Sequence, residues 1–264
     1  REFRERVVED FVGSYLAGKT PNPCIRCNRF VRFDRFYAAL KERLRAEGLL
    51  SPGEPLHFAT GHYARILQTP QGWFLRKGVD PAKDQSYMLY QVRPEMIPHL
   101  VFPLGELTKS EVMEKAREAG LRYEEVDESQ DACFVEGDYA EFIERQSGRE
   151  DLLRPGEITD LEGRVLGKHR GAVRYTVGQR SGLGLGNGPW YVSRIDAAAN
   201  RVVVARRRDA ERSSFLVEDT NWFGEQPAGL RLDAAGKLRT AVAYLHRELP
   251  APGGLLAEPV GVLH

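Results

Sequence analysis

Apolar residues in the first half of the chain recur every three or four positions, with charged residues between them, which is the helical period. Shorter apolar runs between turn residues are typical of strands. The predicted elements are helices over 3–17, 33–44 and 108–120, and strands over 56–60, 73–77 and 121–126. This alternation of helix and strand up to Cys133 predicts an α/β layer.

The pattern changes from Pro155 onward, where short apolar runs alternate with glycine-containing turns. A turn at 159–163 separates two predicted strands, and residues 190–192 and 201–204 form the arms of a predicted hairpin. A helix over 139–145 joins the two halves of the chain. Further strands are predicted at 214–217 and 237–245. The predicted domains are 1–134 (catalytic, α/β), 135–209 (central, mostly β) and 210–264 (C-terminal, β-barrel-like).

The 264 residues are enough for about two domains and a smaller third one. Lysine plus arginine and aspartate plus glutamate number 38 each, so a site for a polyanion has to be a local patch of charge. The chain has no apolar run of membrane-spanning length and no signal-peptide pattern, which predicts a soluble protein. Its few cysteines predict a reducing compartment, the cytoplasm.

The three cysteines carry the strongest chemical signal. Cys24 and Cys27 form a Cys-x-x-Cys pair in a proline- and arginine-rich turn, and Cys133 lies far downstream. We expect Cys27 just before or at the first turn of a helix, between Arg26 and Arg29, where backbone N–H groups and cations lower the pKa of a thiol. Cys27 is therefore the candidate nucleophile.

Other interpretations of the thiols remain open at this level. A structural zinc site needs about four ligands, and a thioredoxin-like dithiol usually follows a strand. Cys133 stands between Ala132 and Phe134 and has the surroundings of a buried, inert thiol.

Three further segments are candidate binding elements. Asn22 and Pro23 constrain the loop before the thiols, in a way that suits contact with a base or simply makes a turn. Gly61 and His62 end a strand, the place where α/β sheets bind ligands. The segment 83–85 (Lys83, Asp84 and Gln85) precedes a predicted apolar helix and either contacts a phosphate or caps that helix.

Two basic or glycine-rich stretches complete the list. Arginines recur every three residues from 26 to 35, a spacing that spreads them over a broad face of a helix. That face either contacts phosphates or is an ordinary solvated surface. The glycine-rich segment 175–186 lacks the spacing of a phosphate-binding loop, so it is either a sugar or phosphate cradle or a set of β-turns.

Taken in chain order, these motifs resemble the tRNA-specific 2-thiouridylase family. The matching segments are residues 18–29, 59–65, 83–87, 102–109, 129–134, 167–171 and 175–184. The resemblance implies an adenine-nucleotide α-hydrolase-like (PP-loop) domain with a parallel sheet, then a small central β domain and a C-terminal β-barrel.

The resemblance also implies the reaction, which is ATP-dependent 2-thiolation of the wobble uridine of tRNA. ATP, with Mg²⁺, adenylates the base, and a sulfur-donor protein loads a persulfide on Cys133. Cys27 is then the partner nucleophile, and the two thiols can end as a disulfide. Gly61 is implied to lie at the ATP. The residues implied to contact tRNA or its target base are Asn22, Pro23, Cys24, His62, Lys83, Asp84, Gln85 and Tyr244.

Two departures from the family pattern bear on function. Many relatives have an acidic residue in place of Cys24, and the family's Ser-Gly-Gly-Val-Asp-Ser-like loop would lie before Arg1. We therefore expect residues 1–264 alone to have little or no thiolation activity and to lack the first strands and the last strand. A non-catalytic tRNA-binding module and a thiol redox protein are the alternatives.

Overall fold

In the computed structural model, the described residues are 1–121, 132–149, 151–210, 221, 223, 244–245 and 261–262. The predicted strand at 121–126 therefore lies almost entirely outside the described residues, as do the strand at 214–217 and most of the one at 237–245. The segment around Gln130 and Asp131 lies outside them as well.

Two long helices open the chain. The first has a π-helical part, Arg4–Val8, followed by α1, Glu9–Leu16, and it ends before Gly18 as the pattern predicts. The second consists of α2, Pro23–Arg26, a π-helical part, Cys27–Phe36, and α3, Tyr37–Ala46. The backbone at both junctions is helical, so the chain runs through them without a break.

The strands of the first part are short. Strand β1, Phe58–Ala59, pairs in parallel with β4, Leu100–Val101, and β2, Ala64–Thr69, forms an antiparallel hairpin with β3, Gly72–Lys77. The helix after residues 83–85 is shorter than predicted, a single 3₁₀ turn at Ser86–Met88. The core here combines the second helix with these strands; its largest fully buried members are Phe33, Leu75, Leu89 and Ile97.

Helix α4, Lys109–Glu118, has the predicted capping box. The Thr108 hydroxyl accepts a hydrogen bond from the Glu111 N–H at 3.3 Å, and the Glu111 carboxylate accepts one from the Thr108 N–H at 2.7 Å. These bonds satisfy donors that the first turn otherwise leaves unpaired. Gly120, just after the helix, has φ +67°, the left-handed conformation that glycine adopts at helix ends.

The second part is built on a four-stranded sheet in the order β6-β5-β8-β7. Helix α5 precedes the sheet and α6 follows it. The bounds are α5 Tyr139–Ser147, β5 Gly156–Thr159, β6 Val165–His169, β7 Tyr191–Asp196, β8 Arg201–Ala205 and α6 Arg207–Ala210. The predicted turn at 159–163 and the predicted hairpin arms are confirmed. Strands β5 and β8 are parallel, and the others pair antiparallel.

The loop between the first two helices packs against the second part. The Thr20 hydroxyl donates a hydrogen bond to the Thr176 hydroxyl at 3.1 Å. A Cβ atom on Gly18, where φ is +72°, would lie only 3.0 Å from the carbonyl oxygen of Ile195 in β7. Both the backbone conformation and the close approach therefore require glycine at this position.

Beyond residue 210 the described strands are β9, Tyr244–Leu245, and β10, Gly261–Val262, which pair antiparallel. The α/β organisation of the first part and the β organisation of the central part agree with the sequence prediction. The barrel predicted for 210–264 falls largely outside the described residues.

Candidate active site

The helix that carries two of the three thiols begins at Pro23. Asn22 caps it, because its Oδ1 accepts a hydrogen bond from the Cys24 N–H at 3.0 Å, and proline is favourable at the first helical position. Cys24 therefore lies in the first turn and Cys27 in the second. The prediction that Cys27 occupies the first turn is wrong, because Asn22 and Pro23 start the helix earlier.

Cys133 reaches the same region through the packing of its neighbour Phe134. The Phe134 ring contacts the N-terminal helix edge-on, with centroids 5.6 Å from Phe3 and 5.4 Å from Phe11. The negative charge of a Cys133 thiolate raises the pKa of Cys24, so the distant thiol lies within electrostatic reach of the pair. All three cysteines are free thiols.

Two of the arginines that flank the thiols form ion pairs with carboxylates. Arg26 pairs with Asp10 at 3.1 Å, and this bond also ties the thiol helix to the N-terminal helix. Arg29 pairs with Asp34 at 3.6 Å. Arg32, one turn further along, has no carboxylate partner among the described residues.

Burial raises the pKa of the Cys27 thiol above its ordinary value. Arg32 opposes this by favouring the thiolate, while the neighbouring charges of Cys24 and Cys133 disfavour it further. The prediction of a lowered pKa is wrong, since desolvation of the sulfur outweighs the single cation that acts on it.

A buried polar network forms the wall behind the thiols. Asn28 is only 2% exposed; its Nδ2 donates a hydrogen bond to the Met88 carbonyl at 3.0 Å and lies 3.4 Å from His62 Nε2. Its Oδ1 accepts one from Arg32 at 3.3 Å. The other ring nitrogen of His62, Nδ1, lies 2.7 Å from the Thr60 hydroxyl. The network thus joins the thiol helix to the loop after β1 and to the 3₁₀ turn.

His62 is held as a neutral imidazole. Its burial, and secondarily the positive charge of Arg32, lower its pKa to about 4. With Nε2 facing an amide N–H donor of Asn28, the ring proton belongs on Nδ1, which donates to Thr60. Asn28 and Thr60 therefore select one tautomer and one orientation of the ring.

Gly61 lies beside this network with its backbone exposed. A Cβ atom built on it meets only Leu104, at 3.7 Å, which is ordinary van der Waals contact. The described residues therefore leave room for a side chain at Gly61, and close approach of a ligand would be a reason for glycine there.

Two of the three candidates in segment 83–85, Asp84 and Gln85, accept hydrogen bonds from backbone groups of the protein. The Asp84 carboxylate accepts hydrogen bonds from the backbone N–H groups of Gly78, at 3.0 Å, and Ser86, at 3.2 Å. The Gln85 side-chain oxygen accepts one from the Tyr63 N–H at 3.1 Å. These bonds fix the 3₁₀ turn against the ends of β2 and β3.

That turn faces the thiols. Burial raises the pKa of the Tyr87 hydroxyl, and the negative charge of a Cys24 thiolate raises it further. The backbone N–H of Lys83 donates to the Asp80 carbonyl at 3.2 Å in the preceding turn. Asn28 links the thiol helix to His62, next to Gly61, and to Met88 in the turn that follows segment 83–85.

The glycine-rich segment meets the loop before the thiols at Thr176, which accepts the hydrogen bond from Thr20. It borders an open hollow of about 510 Å³, lined by glycines and by Arg180, Leu183 and Trp190. The guanidinium of Arg206 stacks 3.7 Å from the Trp190 ring. Only the backbone of Tyr244 is described, so its predicted contact with RNA stays a prediction.

Within the described ranges, no group of three or more His, Cys, Asp or Glu side chains is arranged to hold a metal ion. None of the helices in the same ranges has the length and apolar composition needed to cross a membrane.

Sequence reasoning missed three residues of this site. Asn28 and Tyr87 lie in the matching segments but were given no role, and Arg32 was one of four arginines at a three-residue spacing. The available signal was the position of Asn28 directly after Cys27, with Arg32 four residues later, a spacing that brings two helical side chains together.

Two protein-family profiles match the chain. The profile described as the tRNA methyl transferase HUP domain matches residues 1–137, and the tRNA methyl transferase PRC-barrel domain matches residues 140–206. Together they follow the change from the α/β part to the β part.

Curated relatives match over nearly the whole chain and are called tRNA-specific 2-thiouridylase MnmA. The protein from Methylobacterium radiotolerans is 45% identical over 264 residues, which is 99% of this chain and 65% of the relative. The one from Geotalea uraniireducens is 44% identical over 94% of this chain and 63% of its own length. The one from Chloroflexus aggregans is 43% identical over 99% of this chain and 68% of its own length.

Proposed function

Because the chain belongs to the tRNA-specific 2-thiouridylase family, we propose that its protein carries out ATP-dependent 2-thiolation of the wobble uridine of tRNA. The chain spans 65% and 63% of the first two relatives, so the proposal concerns the whole protein. The observation that supports it most is geometric: Phe134, next to Cys133, packs on the N-terminal helix, and Arg26 of the thiol helix is paired with Asp10 of that same helix.

In this proposal the two catalytic sulfur atoms are those of Cys27 and Cys133. ATP supplies the adenylyl group that makes the C2 oxygen of uridine a leaving group. Cys133 carries a persulfide, received from a sulfur-donor protein, whose terminal sulfur bonds to C2 as AMP departs. The Cys27 thiolate then attacks the Cys133 sulfur, which forms a Cys27–Cys133 disulfide and releases the sulfur on the base. A thiol reductant returns both cysteines to the reduced state.

The nucleotide is assigned to the exposed side of Gly61, where the backbone is accessible, with Mg²⁺ bound through the ATP phosphates. Asn22, Pro23 and Cys24 are assigned to the target base. In support, Asn22 caps the thiol helix and Pro23 and Cys24 form its first turn, one turn before Cys27.

The remaining tRNA contacts are assigned to the rim of this region. Lys83 supplies a cation for a phosphate, while Asp84 and Gln85 hold the loop that presents it. His62 acts on the RNA side through the loop it anchors, and Tyr244 contacts the RNA from the C-terminal part. The three free thiols suit a cytoplasmic location.

The test is thiolation of a tRNA transcript by the full-length protein, with ATP and a persulfide donor and with 2-thiouridine measured by mass spectrometry. We expect Cys27→Ser and Cys133→Ser each to abolish product, because either change removes one of the two reacting sulfur atoms. Gln71→Ala, in the exposed turn between β2 and β3, is the matched control and should keep wild-type activity. Continued thiolation by both serine variants would refute the catalytic assignment.

Measurements of tRNA affinity, ATP consumption and disulfide exchange on the same protein separate the two other functional classes. A tRNA-binding module would retain tRNA affinity without consuming ATP. A thiol redox protein would exchange disulfides with small oxidants at a rate independent of RNA.

A further inference from the structure

Arg32 differs from the other arginines of its helix in its partners. Arg26 and Arg29 are paired with carboxylates inside the helical region, and Arg35 lies 4.0 Å from Glu2. Arg32 instead donates a hydrogen bond to the neutral Asn28 side chain at 3.3 Å, and it has no carboxylate partner in the described part of the chain. Its positive charge is therefore not compensated by a neighbouring side chain there.

The π-helical winding of Cys27–Phe36 brings this cation to the face that carries the thiols. In a π-helix residues five apart are joined by a backbone hydrogen bond, so Arg32 follows Cys27 by one turn. In an α-helix, at about 100° per residue, the same two side chains would point in directions about 140° apart. Asn28 is buried and bonded to the Met88 carbonyl, and its side-chain oxygen accepts a hydrogen bond from the Arg32 guanidinium.

The positive charge of Arg32 influences the titration of three side chains. Burial is the main cause of the shifted pKa values of Cys24, Cys27 and His62, and the charge of Arg32 acts on all three, favouring a thiolate at each cysteine and a neutral ring at His62. The other charges in the described part of the chain that act on Cys27 are those of Cys24 and Cys133, both unfavourable to a thiolate. Arg32 is thus the only favourable charge on the sulfur among the described residues.

We propose that Arg32 is a positioning residue that favours the anionic form of the Cys27 sulfur and so opposes the effect of its burial. The role of Arg32 in catalysis rests on the proposed function, in which the Cys27 thiolate attacks the persulfide-bearing cysteine. The same cation faces the region where negative charge accumulates when the persulfide and the thiolate approach each other. Asn28 contributes by fixing the guanidinium against the wall of the site.

Alkylation of the reduced protein by iodoacetamide across a pH series tests this without tRNA or ATP. Trypsin cleaves after Lys19, Arg26 and Arg29, so Cys24 and Cys27 appear on separate peptides, 20–26 and 27–29, and Cys133 appears on a third. The modification rate of each thiol is then read individually by mass spectrometry. A chelator in the buffer keeps adventitious metal from protecting the thiols.

We expect Arg32→Gln to slow the alkylation of Cys27 at pH 8 by roughly three- to tenfold, and to move its pH profile upward, because one neighbouring cation typically favours a thiolate by about that factor. Arg32→Lys should keep most of the wild-type rate. Arg35→Gln removes an exposed arginine from the same helix and should leave the profile unchanged. The difference between wild type and Arg32→Gln should shrink in about 1 M salt, since salt screens exposed charges.

Thiolation by the full-length protein provides the second measurement. Arg32→Gln should lower kcat with little change in KM for tRNA, and raising the pH should restore part of the rate. An unchanged Cys27 alkylation profile in Arg32→Gln would overturn the proposal, as would an increase in KM alone, the result expected of a simple phosphate contact. Because alkylation needs no substrate, the result stands even if the wild-type protein fails to thiolate tRNA.

Discussion

The buried His62 makes the stability of the first part depend on pH in a predictable way. Its pKa in the folded protein is about 4, against an ordinary value of about 6.5. Between these values the unfolded chain binds a proton that the folded protein excludes. The linkage contribution of His62 is therefore fully present above pH 6.5 and is lost as the pH falls towards 4.

The size of the effect follows from the shift. A difference of about 2.5 pKa units corresponds to roughly 3 kcal/mol of unfolding free energy, at 1.36 kcal/mol per unit. Because the imidazole is only 8% exposed, solvent screening removes little of this value. His62→Gln keeps a polar side chain that can bond Thr60 and Asn28 but cannot titrate.

Urea unfolding of the wild type and His62→Gln at pH 7 and pH 4 measures the prediction. The wild type should lose about 3 kcal/mol more than the variant over this range, a difference that isolates His62 from other titrating groups. His57→Gln, which removes an exposed imidazole, should behave like the wild type. A histidine titration by NMR that placed His62 near pH 6.5, or equal losses in wild type and His62→Gln, would refute the argument from burial.

Three other predictions concern the site. Gly61→Ala and the control Gly13→Ala should both leave the melting temperature within a few degrees of wild type, because both positions have room for a Cβ atom. Of the two variants, only Gly61→Ala should weaken ATP binding, measured by calorimetry. Cys24→Ser should speed Cys27 alkylation, since the Cys24 charge raises the pKa of Cys27; a slower rate would contradict this. Arg180→Ala, in the exposed glycine-rich hollow, should weaken tRNA binding and reduce its salt dependence by about one phosphate contact; an unchanged slope in filter binding would exclude it.

Local signals predicted most of the secondary structure. The capping box at Thr108 and the turn at 159–163 depend on residues that contact each other within a few positions, so their pattern is readable from sequence. The convergence of Cys133 with the pair was expected only from resemblance, because it depends on Phe134 packing against a helix more than a hundred residues away.

The electrostatics of the site could not be predicted in the same way. The flanking Arg26 looked like an activator of Cys27, but it is neutralised by Asp10, while burial dominates the pKa of the sulfur. The roles of Arg32 and Asn28 depend on π-helical winding and on a buried contact with the Met88 carbonyl. Neither property has a signature in the pattern of apolar and polar residues.

The contact of Gly18 and Thr20 with the central part has a consequence for engineering. Only three residues separate Thr20 from Cys24, a span too short to absorb a change in the relative placement of the two parts. A chimera that exchanges the central part between relatives would displace the reactive sulfurs unless the graft retains the Thr176 hydroxyl and the path of Ile195. The two parts are thus a single transplantable unit, and recombination between them should be made on the far side of α6.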